Sequence, residues 1–540
     1  MTDREALYRA IIANSSEDTP RLVYADWLQE NDRPEEAEFI RLGCWLATAS
    51  PDHPDFVERQ VRQEELAIWL AAYAPGPKLK FKAGLEVEAG AGWWTFTRRG
   101  FPRFIEFDGT HHPGVKAIRA LAASLTHAFD TLPTRWLVIR YVSNEQLAEL
   151  LRQPIMAQLD SLTVQFYTAV EPNTEAACLI ANAPNLKNLR GLSLGFNWDE
   201  AGTAALCQSK HLGGLEWFSI PGEELSPSAV RAYGSADWFC NLREFRPGPF
   251  FPGEGFAELC RLGPFRKMHS LKLQQTYFAD GVWRAFAESG AFPALVHFEV
   301  ADHALDAAQM AVLARMKWFR ASHVDLSFCY MTDETAVTLA SAAWLKGVRW
   351  LGLRGNVFGP TGAAALARSP NLANLRYLDL SQNSVGARGL GAVAANPALR
   401  RLISLDLGGR PHHVGHLTAK HFEGFLSKLD MPQLRHLSLR GRPIGAKAAR
   451  LLANEKFASL TRLNLRDCGL TDATVRALLE APALQNLVEL RLEANKLKAG
   501  LEPLANPRIM PRLGAFYLEG NRVGDVLAAK LARRPGVQDF

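Results

Sequence analysis

The sequence predicts an α/β solenoid headed by a small helical domain. Three observations carry that expectation: a nine-residue phrase that returns about every 27 residues, leucines alternating inside the phrase, and a helix-like stretch between successive copies. Residues 1–75 lack the phrase and read as a helical domain, 76–101 as a linker and cap, and 102–540 as a solenoid of about 16 turns.

The phrase is clearest in Leu375-x-x-Leu378-x-Leu380-x-x-Asn383, and further clear copies end at Asn197, Asn356, Asn495 and Asn521. Weaker copies end at Thr110, Val142, Tyr167 and Phe250. Leu378 and Leu380 stand two apart, the spacing that sends both side chains to one side of a short strand, so Tyr377, Asp379 and Ser381 point to the other. Between strands, stretches such as 359–370 combine small residues with Leu366 and are bounded by Pro360 and Pro370, which suits a helix lying close to the sheet. Strands stack about 4.8 Å apart and helices need roughly 8 to 10 Å, so a strand layer joined to a helix layer must bend, with strands concave and helices convex. The phrase-final Asn can satisfy backbone groups at each turn; Cys, Thr, His or Arg stands there in other copies, which predicts less regular turns.

Phrase, helical half and period together resemble the ribonuclease-inhibitor type of leucine-rich repeat over roughly residues 102–540. The resemblance implies a right-handed solenoid, a horseshoe whose usual activity is protein binding through the concave strand face. It does not imply inhibition of a ribonuclease, because fold does not determine function.

In the N-terminal domain, helices are expected over 3–13, 20–30, 34–47 and 54–73, with Asp18-Thr-Pro20, Asp32-Arg-Pro34 and Asp52-His-Pro54 marking starts. The segment DTPRLVYADWLQENDRPEEAEFIRL resembles the repeat-companion domain, a short bacterial module at the head of repeat proteins, especially in planctomycetes. The match marks Pro20, Arg21, Tyr24, Asp26, Trp27, Leu28, Glu38, Phe39 and Arg41, and implies architecture more than activity. Tyr24, Trp27 and Leu28 share one helical face, and Phe39, Leu42 and Leu46 another, as a small core requires. Arg21, Asp26, Glu38 and Arg41 form either salt bridges within the bundle or a docking site. Trp93, Trp94 and Phe96 are expected to cover the first turn of the solenoid, since terminal repeats need a cap.

Composition bounds the function. A net charge of +5 from 61 basic and 56 acidic residues demands neither nucleic acid nor an acidic membrane. Seven cysteines without a C-x-x-C pair disfavour both a disulfide framework and a zinc site. No apolar run predicts a leader or a membrane span, so the expectation is a soluble cytoplasmic protein. No P-loop, G-x-G-x-x-G, G-x-S-x-G or H-E-x-x-H occurs, and neither an enzyme, a cofactor nor a small-molecule substrate is expected. His412, His413 and His416 cluster after Arg410, but Gly415 and the lack of a third suitably spaced ligand favour a solvated loop over a metal site. Asp325, Asp379 and Asp406 recur on the concave face, where solvated polar residues are a simpler reading than acid–base catalysis.

The strand phase singles out a partner-binding surface: Trp217, His323, Asp325, Trp350, Arg354, Tyr377, Asp379, His436, Arg440, Arg462, Arg466, Arg491 and Tyr517, with His297 in the same phase. Aromatics and arginines dominate it, the residue types that concentrate binding energy. Arg435, Arg440, Arg442, Arg462, Arg466 and Arg491 make the C-terminal third locally basic, interrupted by Glu489, Glu493 and Glu519. That mixed arc fits a protein partner with an acidic patch better than a phosphate backbone. The expected function is therefore a non-catalytic interaction scaffold; the alternative is a regulator that sequesters an enzyme or binds RNA through the basic arc.

Overall fold

The computed structural model describes residues 2–73, 85–87, 97–99, 101–111, 114–166, 172–220, 226–248, 251–275, 278–409 and 417–539. Short parallel strands alternate with helices throughout, giving an α/β leucine-rich-repeat solenoid. The chain forms two compact units, residues 1–50 with 76–299, and residues 51–75 with 300–540. The N-terminal helices, grouped as 1–75 by their lack of the repeat, are therefore shared between the two. Among the described residues, no helix is long and apolar enough to cross a membrane.

In the first unit, α1 (Asp3–Ala13) opens on a capping box between Thr2 and Glu5. Helices α2 (Thr19–Glu30) and α3 (Pro34–Thr48) start at the marked prolines, but Asp18 makes no side-chain cap bond and Arg33, not Asp32, stands at the α3 N-cap. Ile11, Tyr24, Leu28 and Ile40 pack around Phe101, and Tyr24 stacks on Trp27. Seven strands from Ile105–Asp108 to Ser270–Gln274 pair in parallel in chain order, and Leu85–Val87 pairs antiparallel with the first. Much of their interior is phenylalanine: Phe218, Phe239, Phe245, Phe256, Phe265 and Phe286 are all buried, each ring meeting others at 5.0–6.4 Å. Trp93, Trp94 and Phe96, expected to cover the first turn, lie outside the described residues.

The second unit is more regular. Its strands His323–Asp325, Trp350–Gly352, Tyr377–Asp379, Ser404–Asp406, His436–Ser438, Arg462–Asn464, Glu489–Arg491 and Ala515–Tyr517 run parallel in unbroken register. Every central strand residue, from Val324 through Leu378 and Leu463 to Phe516, points inward and is buried, and Leu353, Leu380 and Leu465 just beyond are fully enclosed. Helices such as Pro360–Arg368 and Gly386–Ala395 close the opposite side, their Gly and Ala permitting close approach.

An amide ladder fastens the turns. Asn383 donates to the carbonyls of Leu353 (2.8 Å) and Leu380 (3.2 Å), while Asn495 donates to Leu465 (2.8 Å) and Leu492 (2.9 Å) and accepts from the Cys468 and Leu470 amides. Turns with other residues at this place were expected to be less regular, yet Cys329, Cys468 and Arg442 continue the ladder by different chemistry, the Cys329 thiol donating to the Val300 carbonyl at 3.0 Å. The Cys468 thiol donates to the Leu439 carbonyl at 3.2 Å, and the buried Arg442 guanidinium donates to the Leu407 carbonyl at 2.7 Å. What the turn requires is a buried donor of sufficient reach for the preceding repeat's carbonyl, and amide, thiol and guanidinium all supply one.

Candidate interaction face

The outward strand positions of the second unit form two rows. The first row reads His323, Trp350, Tyr377, Ser404, His436, Arg462, Glu489 and Ala515; the second reads Asp325, Gly352, Asp379, Asp406, Ser438, Asn464, Arg491 and Tyr517. The sequence-predicted surface residues of the C-terminal repeats thus lie side by side, whereas Trp217 belongs to the first unit. There it bends over Gly191, whose missing Cβ leaves room for the indole, and meets Trp136 at 5.1 Å. Arg354, Arg440 and Arg466 stand one step further along, in the turns that follow the strands.

Aromatic side chains open the first row. His323 stacks on Trp350 at 4.8 Å, and Trp350 lies parallel to Tyr377 at 3.4 Å. Burial pushes the Tyr377 phenol well above its ordinary range, aided by the Asp379 and Asp406 carboxylates nearby.

The aspartates of the second row serve the backbone. Asp325, Asp379 and Asp406 accept the amide N–H two residues on, from Ser327, Ser381 and Gly408, at 2.8–2.9 Å, and Asn464 accepts from Arg466 in the same way. This recurring turn accounts for acidic residues here without catalysis. Asp379 and Asp406 are neighbours across the ladder. Burial and the Asp406 charge push Asp379 up to about 7, and burial raises Asp406 against the Gly408 amide and the charges of Arg354 and Arg440.

Carboxylates pair Arg462, Arg466 and Arg491 of the basic arc. Arg462 reaches Glu489 at 2.6 Å, Arg491 reaches Glu489 at 2.6 Å and lies over Tyr517 at 4.1 Å, and Arg466 faces Glu493 at 3.7 Å. The face is a mosaic of paired charges.

Sequence reasoning missed what covers it. Helix α4 (Phe56–Tyr73) packs in the second unit, with Val57 and Val61 against Ile403, Trp350 and Tyr377. Further along, Glu65 is buried beneath Arg435, which donates to both of its oxygens, Nε at 2.8 Å. The Thr461 hydroxyl also donates to Glu65 at 2.5 Å, and His436 stands 3.4 Å away. Burial would raise the Glu65 carboxyl, but His436, Arg435 and Thr461 outweigh it and hold the group at about 2. Burial, with Arg462 beside it, lowers His436 to about 4, so its ring is neutral at pH 7. Glu64 meets Arg462 at 3.0 Å, and Tyr73 donates to the Leu513 carbonyl at 2.9 Å. Gly514 is obligatory, since any Cβ would fall 2.7 Å from the α4 backbone at Ile68 and Trp69. The signal in the sequence was Val57, Val61, Glu64 and Glu65, an apolar pair followed by acids at helical spacing.

In the N-terminal module, Arg21 is buried and donates to the Ser15 carbonyl at 2.7 Å, which removes it from any surface docking site. Arg41 and Asp26 form an ion pair at 2.7 Å between α2 and α3. His412, His413 and His416 lie outside the described residues, and among those described no group of three or more His, Cys, Asp or Glu could hold a metal ion.

Two stretches, residues 371–394 and 458–479, match the family model described as Leucine Rich repeat. No curated protein matches the chain. Among solved structures it is similar to a chain of the yeast Rad7 and Elc1 complex, with 16% identity over 79% of this chain and 93% of that one and a TM-score of 0.41. It is also similar to a protein from Bacteroides fragilis, with 13% identity over 61% and 84% and a TM-score of 0.31. The chain carries leucine-rich repeats, a class whose exposed sheet side chains are available for contact.

Proposed function

We propose that this protein is a non-catalytic scaffold of the ribonuclease-inhibitor-like repeat type that binds a protein partner through the sheet face of its second unit. One observation carries the reading: that face holds a helical segment, α4, through aromatic, arginine and histidine side chains of the repeats. Such groups supply large contact area and forked pairing with carboxylates. Arg354, Arg440, Arg466, Arg491 and Tyr517 extend the surface along the strand ends, and Trp217 is a separate aromatic contact point in the first unit. Residues 3–48 are read as a bacterial repeat-companion module and the setting as cytoplasmic.

The pairing of Arg462, Arg466 and Arg491 with carboxylates favours a protein over RNA, because a phosphate backbone is met best by unpaired cations. Quantitative capture from native lysate with the wild type and with a variant carrying Trp350→Ala, Tyr377→Ala and Arg440→Ala tests the face. Specific partners should drop several-fold with the variant, and equal recovery rejects the assignment.

A further inference from the structure

We propose that the groove under α4 is a helix-binding site, and that the partner presents an acidic amphipathic helix which exchanges with α4. The inference rests on the scaffold reading and deepens it by naming the occupant. Trp350, Tyr377, His436 and Arg462 are the side chains on which α4 sits, so a guest that uses them must take its place.

The seat itself describes that guest. Two aliphatic residues four apart, Val57 and Val61, lie on Ile403 and the Trp350–Tyr377 stack; acids three and four positions later meet Arg462 and Arg435. An amphipathic helix lying in a groove is read by side chains at this spacing. The buried Glu65–Arg435 pair specifies register, while the cost of desolvating both ions offsets much of their attraction.

The fit is also incomplete. A cavity of about 300 Å³ remains between Val61 and Glu64 on one side and Asp406, Ser438, Asn464 and Arg491 on the other. A guest with a larger apolar residue in place of Val61, or with a donor aimed at Asp406, would fill space that α4 leaves empty, and so could outcompete it.

The test uses the full chain and a fluorescein-labelled synthetic peptide with the sequence of residues 54–73, followed by anisotropy. Opening the groove with Val57→Asp and Val61→Asp should tighten peptide binding about tenfold over wild type, since affinity scales with the fraction of groove that is free. Adding Arg435→Glu should abolish binding, and a peptide bearing Glu65→Lys should restore it. Circular dichroism confirms that each variant is folded; if the double variant is not, Glu65→Arg opens the groove in its place. Equal peptide affinity for closed and opened protein, binding indifferent to Arg435, or no binding to a folded opened variant each overturns exchange. Concentration-dependent dimers that the peptide dissolves overturn it in favour of α4 swapping between copies. If the peptide fails while the triple alanine variant still loses partners, the scaffold reading stands and only the exchange is refuted.

Discussion

The repeats of the first unit and those of the second meet one packing demand with different side chains. From Trp217 onward the first fills its interior with phenylalanine rings at varied tilts, while its earlier strands bury Leu137, Leu162 and Leu192; the second stacks one side chain per three-residue strand, aliphatic from Val324 to Leu490. A leucine column with a donor at every turn can repeat without adjustment. Interlocked rings must be fitted locally, because each tilts differently against its neighbours. Both stretches that match the leucine-rich-repeat family model, 371–394 and 458–479, lie in the regular unit.

Leu378→Asp buries an unpaired carboxylate in the column and should cost several kcal/mol, unfolding adjacent turns. An unchanged melting temperature would contradict the strand phase. In the ring-filled unit, Phe256→Ala should cost about 3–5 kcal/mol, because the rings around Phe256 cannot all close the void. Hydrogen exchange should place the loss in the neighbouring repeats.

Acid tests the groove that α4 fills in the second unit. The Glu65 carboxyl is depressed from 4.5 to about 2 in the folded protein, so its contribution is complete above pH 4.5 and is lost as the pH falls toward 2. Wild type should lose up to about 3 kcal/mol across that window relative to Glu65→Gln, read from acid unfolding curves of both proteins. Parallel curves would mean that Glu65 is not held as described. Removing one rung of the ladder with Asn383→Ala should cost about 1–3 kcal/mol, because the Leu380 carbonyl loses its amide donor while Leu353 keeps that of Asn356. The smallest effect has the opposite sign. Asp379 is raised from 3.8 to about 7, so its ionisation opposes folding increasingly between those values, and Asp379→Asn should raise the melting temperature at pH 8 but not below pH 4. Asn464 shows that an amide can make the same turn bond.

Much of this was legible in the chain itself. The repeat, the direction of Leu378 and Leu380 against Tyr377 and Asp379, and the amide ladder of Asn383 and Asn495 all follow from spacing within one turn, where backbone geometry leaves few alternatives. The starts of α2 and α3 were legible from their prolines for the same reason. Only tertiary structure decided that α4 leaves the other N-terminal helices to lie on the C-terminal strands, and that Glu65 finds Arg435, a residue 370 positions away. Period and propensity act over one turn of chain, but the choice of groove depends on matching two distant surfaces in shape and charge, and no local pattern records that match.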